Sequence, residues 1–199
     1  YFDDQVSPAE GTSSEEFYQI YHKFGYDQAV SRASDSLSYV YRLDEKYWLM
    51  MLDSCMCEPV HETGGKLSEE TVAWMKTQLE EAKKQGVTVI PVSHHNLLDE
   101  STLYPEECTI ENTKEVTALL EAYGVPVYLS GHLHLQRIKK HTSNLNTPGG
   151  YGIREIVTSP LPMAPCQYSI LNWQTDGSLS YHTKKVDIAG WAQRYGEED

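Results

Sequence analysis

Between residues 68 and 131 one pattern runs twice: an amphipathic helix, a short apolar strand, then a polar loop. Ser68 can cap a helix whose first turn carries Glu69 and Glu70, and Val72, Met75, Leu79 and Ala82 form one apolar face ending at Gly86. Val87 to Val92 follows as a β-branched run and gives out into Ser93-His94-His95-Asn96. A second helix over about Asn112 to Tyr123 stops at Gly124, and Val125 to Leu129 gives out into Ser130-Gly131-His132-Leu133-His134. Short, continuously apolar strands separated by helices require a buried, largely parallel sheet with right-handed crossovers. The fold class is therefore α/β, with both histidine clusters at the carboxyl edge of one sheet, where open α/β sheets bind ligands.

The flanks predict further elements. Thr12, Ser13 and Ser14 offer capping hydroxyls, Glu15 and Glu16 early acids, and Phe17, Ile20, Tyr21 and Phe24 recur at helical spacing before Gly25. Leu37 to Leu43 and Tyr47 to Leu52 read as two strands of a hairpin. Arg154 to Thr158, Gln167 to Trp173 and Leu179 to Val186 read as strands, the last two turning at Asp176-Gly177, which predicts an antiparallel C-terminal third. The 199 residues are read as one portion of a domain, with a core part over about 1–145 that holds the histidine motifs and a β-rich part over about 146–199.

Charge narrows the function classes. Sixteen Lys and Arg against 29 Asp and Glu leave a net charge of −13, which repels a nucleic-acid backbone. Four cysteines, without C-x-x-C spacing, do not make a disulfide framework or a structural zinc site. The first residues carry no charged-then-apolar export pattern, and no segment is apolar enough to span a bilayer.

The chemistry is expected in the histidines. In an extended Gly131-His132-Leu133-His134 the two rings would point to one side and Leu133 to the other, a workable chelate. Neutral imidazole binds zinc, manganese, iron or nickel. His94, His132 and His134 are the expected metal ligands, against the plainer reading of three solvated loop histidines. His95 and Asn96 are expected from position to face a substrate, although His95 could equally support a ligand or be merely exposed. His22, His61, His141 and His182 stand alone and are expected to be surface or hydrogen-bonded residues. Asp53, at a strand end, reads as a turn acid more readily than as a ligand.

Leu52-Asp53-Ser54, Gly65-Lys66-Leu67-Ser68 opening a helix with Trp74, Val92-Ser93-His94-His95 and Leu129-Ser130-Gly131-His132-Leu133-His134 occur in an order that resembles the calcineurin-like metallophosphoesterases, in particular their bacterial cyclic-nucleotide phosphodiesterase-like branch. The resemblance covers about residues 47–135. It implies part of an α/β/β/α sandwich, with two divalent metal ions (Mn, Fe or Zn), His94 and His132 on one and His134 on the other. It also implies hydrolysis of a phosphodiester, cyclic nucleotides included. Members carry Asp-x-His, Gly-Asp and Gly-Asn-His motifs nearer their N-terminus, and none stands in this sequence.

The expectation is thus the C-terminal part of such an enzyme, inactive alone and holding at most one metal weakly. Its partners would be a small phosphodiester, the missing N-terminal half and, through an exposed sheet, further copies of itself. Two alternatives stand beside it: a non-catalytic metal-binding or interaction domain on the same scaffold, and a mononuclear three-histidine hydrolase.

Overall fold

A computed structural model describes residues 11–57, 62–100, 105–141 and 152–196. His61 lies outside them. Helix α1 (Ser14–Tyr21) opens with a capping box in which Ser13 Oγ accepts from the Glu16 amide and Glu16 reaches back to the Ser13 amide. A 3-10 turn (Tyr26–Gln28) leads into β1 (Ala29–Arg32), β2 (Tyr39–Arg42) and β3 (Tyr47–Met51), an antiparallel meander. Helix α2 (Glu69–Gln85) has the predicted Ser68 cap, with Ser68 Oγ accepting from Thr71 N–H, and closes on Gly86 in the left-handed conformation. After β4 (Thr88–Val92) come the short α3 (Pro105–Cys108), α4 (Thr113–Ala122), β5 (Val127–Ser130), β6 (Arg137–Lys140) and β7 (Arg154–Val157). A hairpin of β8 (Gln167–Trp173) and β9 (Leu179–Lys185) precedes α5 (Ile188–Tyr195).

Seven strands form one sheet in the order β1-β2-β3-β4-β5-β7-β6. Strands β3, β4, β5 and β7 run parallel, as continuous apolar runs between helices require. Alternation splits their side chains between two faces. Trp48, Met50, Val89 and Tyr128 pack on one face against Met75, Leu79 and Ala82 of α2 and Val116 and Leu120 of α4. Tyr47, Leu49, Ile90, Val127, Leu129 and Ile156 face the other way and meet Leu171, Trp173, Leu179 and Tyr181 of β8-β9. The layers are helix, seven-stranded sheet and two-stranded sheet. Among the described residues no backbone hydrogen bond joins β8-β9 to the large sheet; Gln136 Nε2 donates to Ser169 Oγ at 2.8 Å and to the Tyr181 hydroxyl.

One expectation changes. Arg154–Val157 is not part of an antiparallel C-terminal unit: β7 inserts into the main sheet, parallel to β5 and antiparallel to β6. Its Ile156 and Val157 are buried, and so is Glu155 between them and Arg154. Only β8-β9 forms a separate antiparallel pair. Helix α1 buries none of its residues, and Ile20 and, just beyond it, Phe24 are 61% and 76% exposed.

Candidate metal centre

Strands β4 and β5 pair in register at Val92 and Leu129. Backbone bonds continue past that pair into the loops: Ser93 N–H donates to Leu129 O at 3.0 Å and Gly131 N–H to His94 O at 3.1 Å. Tyr128, fully buried, donates its hydroxyl to Ser93 Oγ at 2.7 Å, and Ser93 Oγ donates to His95 O at 2.5 Å.

These contacts set His94 and His132 side by side. His94 Nε2 and His132 Nδ1 are 2.8 Å apart, with the rings perpendicular and their centroids 4.8 Å apart. At that separation one nitrogen donates its proton to the lone pair of the other. Both pKa values lie below the ordinary imidazole value, chiefly because burial disfavours the cation. His132 and His134 add to the effect on His94, and His95 and His134 to that on His132. Both rings are thereby kept in the neutral form that binds metals.

The Gly-His-x-His segment is not extended. His132 and His134 have φ of 63° and 53°, in the left-handed region that costs a residue with a Cβ, and Leu133 N–H closes a tight turn on Gly131 O at 2.7 Å. The same-side argument for an extended chelate therefore does not apply; a left-handed bend aims these rings. Backbone strain of this kind persists where the surroundings enforce it and concentrates at functional sites. His134 is exposed, and it reaches the other two electrostatically.

The residues next to the first ligand have internal roles. His95 is buried, its Nδ1 2.8 Å from Ser54 Oγ and its Nε2 3.0 Å from the Thr63 carbonyl. A carbonyl can only accept, so Nε2 carries the proton and Ser54 donates to Nδ1. Asn96 is fully buried and donates through Nδ2 to Ser130 Oγ at 2.9 Å and Gly131 O at 3.2 Å. Neither spends its polar atoms on a surface a substrate could reach; both fasten the loops. Asp53 is a turn acid, accepting from the amides of Leu37 and Cys55, each at 3.2 Å. His94 forms part of the wall of a cavity of about 860 Å³ that Asp35, Asp53, Tyr39 and Phe17 also line.

Gly65 is set by His95. Its backbone needs no positive φ, but a Cβ there would stand 2.4 Å from His95 Cγ. Gly65→Ala is expected to push the His95 ring off Ser54 and Thr63 and to lower stability by about 1–3 kcal/mol, measured by urea unfolding; a variant as stable as the parent would show that the ring has room to move.

Glu155 was missed by sequence reasoning. An acid between Arg154 and Ile156 in Arg-Glu-Ile-Val looks like the solvent face of an alternating strand, yet its carboxylate is fully buried at the centre of the loop contacts. Ser130 was likewise read only as part of a motif. Its hydroxyl links Asn96 to Glu155.

A divalent cation fits this donor set in part. Two neutral nitrogens converge, and two ligands of a tetrahedral zinc stand about 3.3 Å apart for bonds of ~2.0–2.1 Å, so the pair must open by about half an ångström. Among the described residues no three His, Cys, Asp or Glu side chains come together to complete a site.

No protein-family model and no curated protein matches the sequence. Among solved structures, a dimetal phosphatase from Danio rerio superposes with a TM-score of 0.53 and 14% identity over 65% of this chain and 52% of its own. A purple acid phosphatase from yellow lupin (Lupinus luteus) seeds gives a TM-score of 0.42 and 15% identity over 61% of this chain and 22% of its own. The chain therefore spans about half the length of the dimetal phosphatase, and at this identity the likeness is one of fold. What the two share is a calcineurin-like α/β fold, a parallel-rich sheet with helices on one face and antiparallel strands on the other.

Proposed function

We propose that the chain is the histidine-bearing part of a dinuclear metal-dependent phosphoesterase that hydrolyses phosphodiesters, with cyclic nucleotides the substrate class its motifs suggest. The 2.8 Å approach of His94 Nε2 to His132 Nδ1 at the carboxyl rim of β4 and β5 carries this reading. His94 and His132 would hold one divalent ion and His134 would serve a second. Such a pair of ions supplies positive charge for the phosphate oxygens and makes water acidic enough to act as the nucleophile. An acidic protein needs that local charge, because a net −13 otherwise opposes an anionic substrate.

The chain's own part is to present lone pairs. Each neutral ring carries one proton, and both inner nitrogens are free only when those two protons sit on His94 Nδ1 and His132 Nε2. The depressed basicity of the rings keeps second protons off them near neutral pH. The left-handed turns at His132 and His134 fix the ring directions before a metal arrives.

A mononuclear three-histidine hydrolase is the weaker reading, because no three ligating side chains meet among the described residues. The chain alone is expected to turn over bis(p-nitrophenyl) phosphate with added Mn no faster than the buffer blank. Turnover in the usual enzyme range of ~1–1000 per second would mean that the site is complete within these 199 residues and that the half-site reading is wrong.

A further inference from the structure

Glu155 occupies a position that an apolar residue would fill at lower cost. It is fully buried on β7, and no Lys or Arg pairs with it among the described residues. Burying a carboxylate without a counter-charge is expensive unless hydrogen bonds compensate. Three do. Oε1 accepts from Leu97 N–H at 2.7 Å and from Ser130 Oγ at 2.6 Å, and Oε2 accepts from Leu98 N–H at 2.6 Å.

The three donors come from the two loops that carry the histidines. Leu97 and Leu98 stand three and four residues past His94, and Ser130 two residues before His132. Asn96 closes the circuit by donating to Ser130 Oγ and to Gly131 O. The segment 95–97 is also stitched to 108–110, with Asn96 N–H donating to Cys108 O at 2.8 Å and Ile110 N–H to Asn96 O at 2.9 Å. Past the single register pair of β4 and β5, the backbone bonds from Ser93 N–H to Leu129 O and from Gly131 N–H to His94 O tie the two loops, and the Glu155 bonds are a further, side-chain tie between them.

We propose that Glu155 is a positioning residue, and that its carboxylate, acting through Ser130 and Asn96, sets the separation of His94 and His132. The proposal rests on the metal-centre reading for its purpose, while its geometry can be read without any metal. Gln at 155 keeps the shape but turns an N–H₂ toward an N–H or O–H donor, so it must break at least one of the three bonds. Ser130→Ala removes one arm and leaves the rest.

The test is ¹⁵N-histidine NMR of the metal-free chain at pH 7.5, with His94→Ala and His132→Ala used for assignment. In the parent, the hydrogen bond between the rings is expected to give one ring an unequal, locked tautomer signature. In Glu155→Gln and Ser130→Ala that signature is expected to collapse to that of free imidazole. Leu79→Ala, a core cavity in α2, which contributes nothing to the network, is expected to lower the Tm and leave the ring signals alone.

Unchanged ring signals in Glu155→Gln, or equal loss in Leu79→Ala, would overturn the proposal. If Glu155→Gln does not fold, Ser130→Ala decides the matter by the same criterion. Zn titration of the same chains separates the two readings. A parent that binds Zn should lose about tenfold or more in affinity on Glu155→Gln, as removal of a support to a ligand does. A parent that binds no Zn overturns the metal-centre reading while the ring signals still judge Glu155.

Discussion

Replacing His132 or His94 with Ala is expected to lower Zn or Co affinity by at least ~100-fold, the upper end of what loss of a mere supporting partner costs. Each of the two rings contributes one inner nitrogen, and a lone imidazole has no chelate to draw on. His134→Ala is the informative companion. If His134 serves a second ion, its loss should leave the affinity of the first within a few-fold, since the 2.8 Å pair is untouched. Titration of Co by visible absorption reads all three variants. Equal losses in the three would assign them to one shared ion and remove the dinuclear arrangement.

The second large effect concerns pH. Glu155 has its pKa raised from 4.5 to about 7, first by burial and further by the charge of Glu100, against the lowering effect of its three hydrogen bonds. The folded chain therefore keeps a proton that the unfolded chain has already lost between pH 4.5 and 7. The stability this confers is complete below 4.5, declines as pH rises, and is gone above about 7. Guanidinium unfolding at pH 5, 6.5 and 8 should show the parent losing about 2–3 kcal/mol relative to Glu155→Gln across that range. His94 and His132 pull the other way, their depressed values costing stability as pH falls below 6.5, and burial, the main cause of both shifts, is common to the two chains. Parallel pH profiles would mean that Glu155 titrates as an ordinary surface carboxylate.

What the sequence made legible was whatever rests on periodicity and local capping. Helix α2 with its Ser68 cap and Gly86 stop, α4, and strands β3, β4 and β5 follow from apolar spacing, and with them the placement of His94 and His132 at one sheet edge. Strands β1 and β6 were not legible because edge strands bury little: Arg-Ile-Lys-Lys carries one apolar side chain and is held by pairing with β7. Helix α5 hides behind Gly190, whose amide bonds the Asp187 cap. The strand sense of β7 depends on a partner 27 residues upstream, Val127 against Arg154, which no local pattern encodes. In the site, residue types gave the candidate ligands. The left-handed turns at His132 and His134, the inward roles of His95 and Asn96, and the buried Glu155 depend on contacts between loops distant in sequence.

The β8-β9 hairpin lies on the sheet without joining its ladder, held by Leu171, Trp173, Leu179 and Tyr181 and by the Gln136 side chain. Apolar adhesion weakens on cooling, whereas ladder hydrogen bonds do not share that temperature dependence. The hairpin's grip on the sheet thus depends on warmth more than the sheet's own ladder does. Chilling loosens the lining beneath Ile90, Val127 and Ile156 before it disturbs the strands themselves.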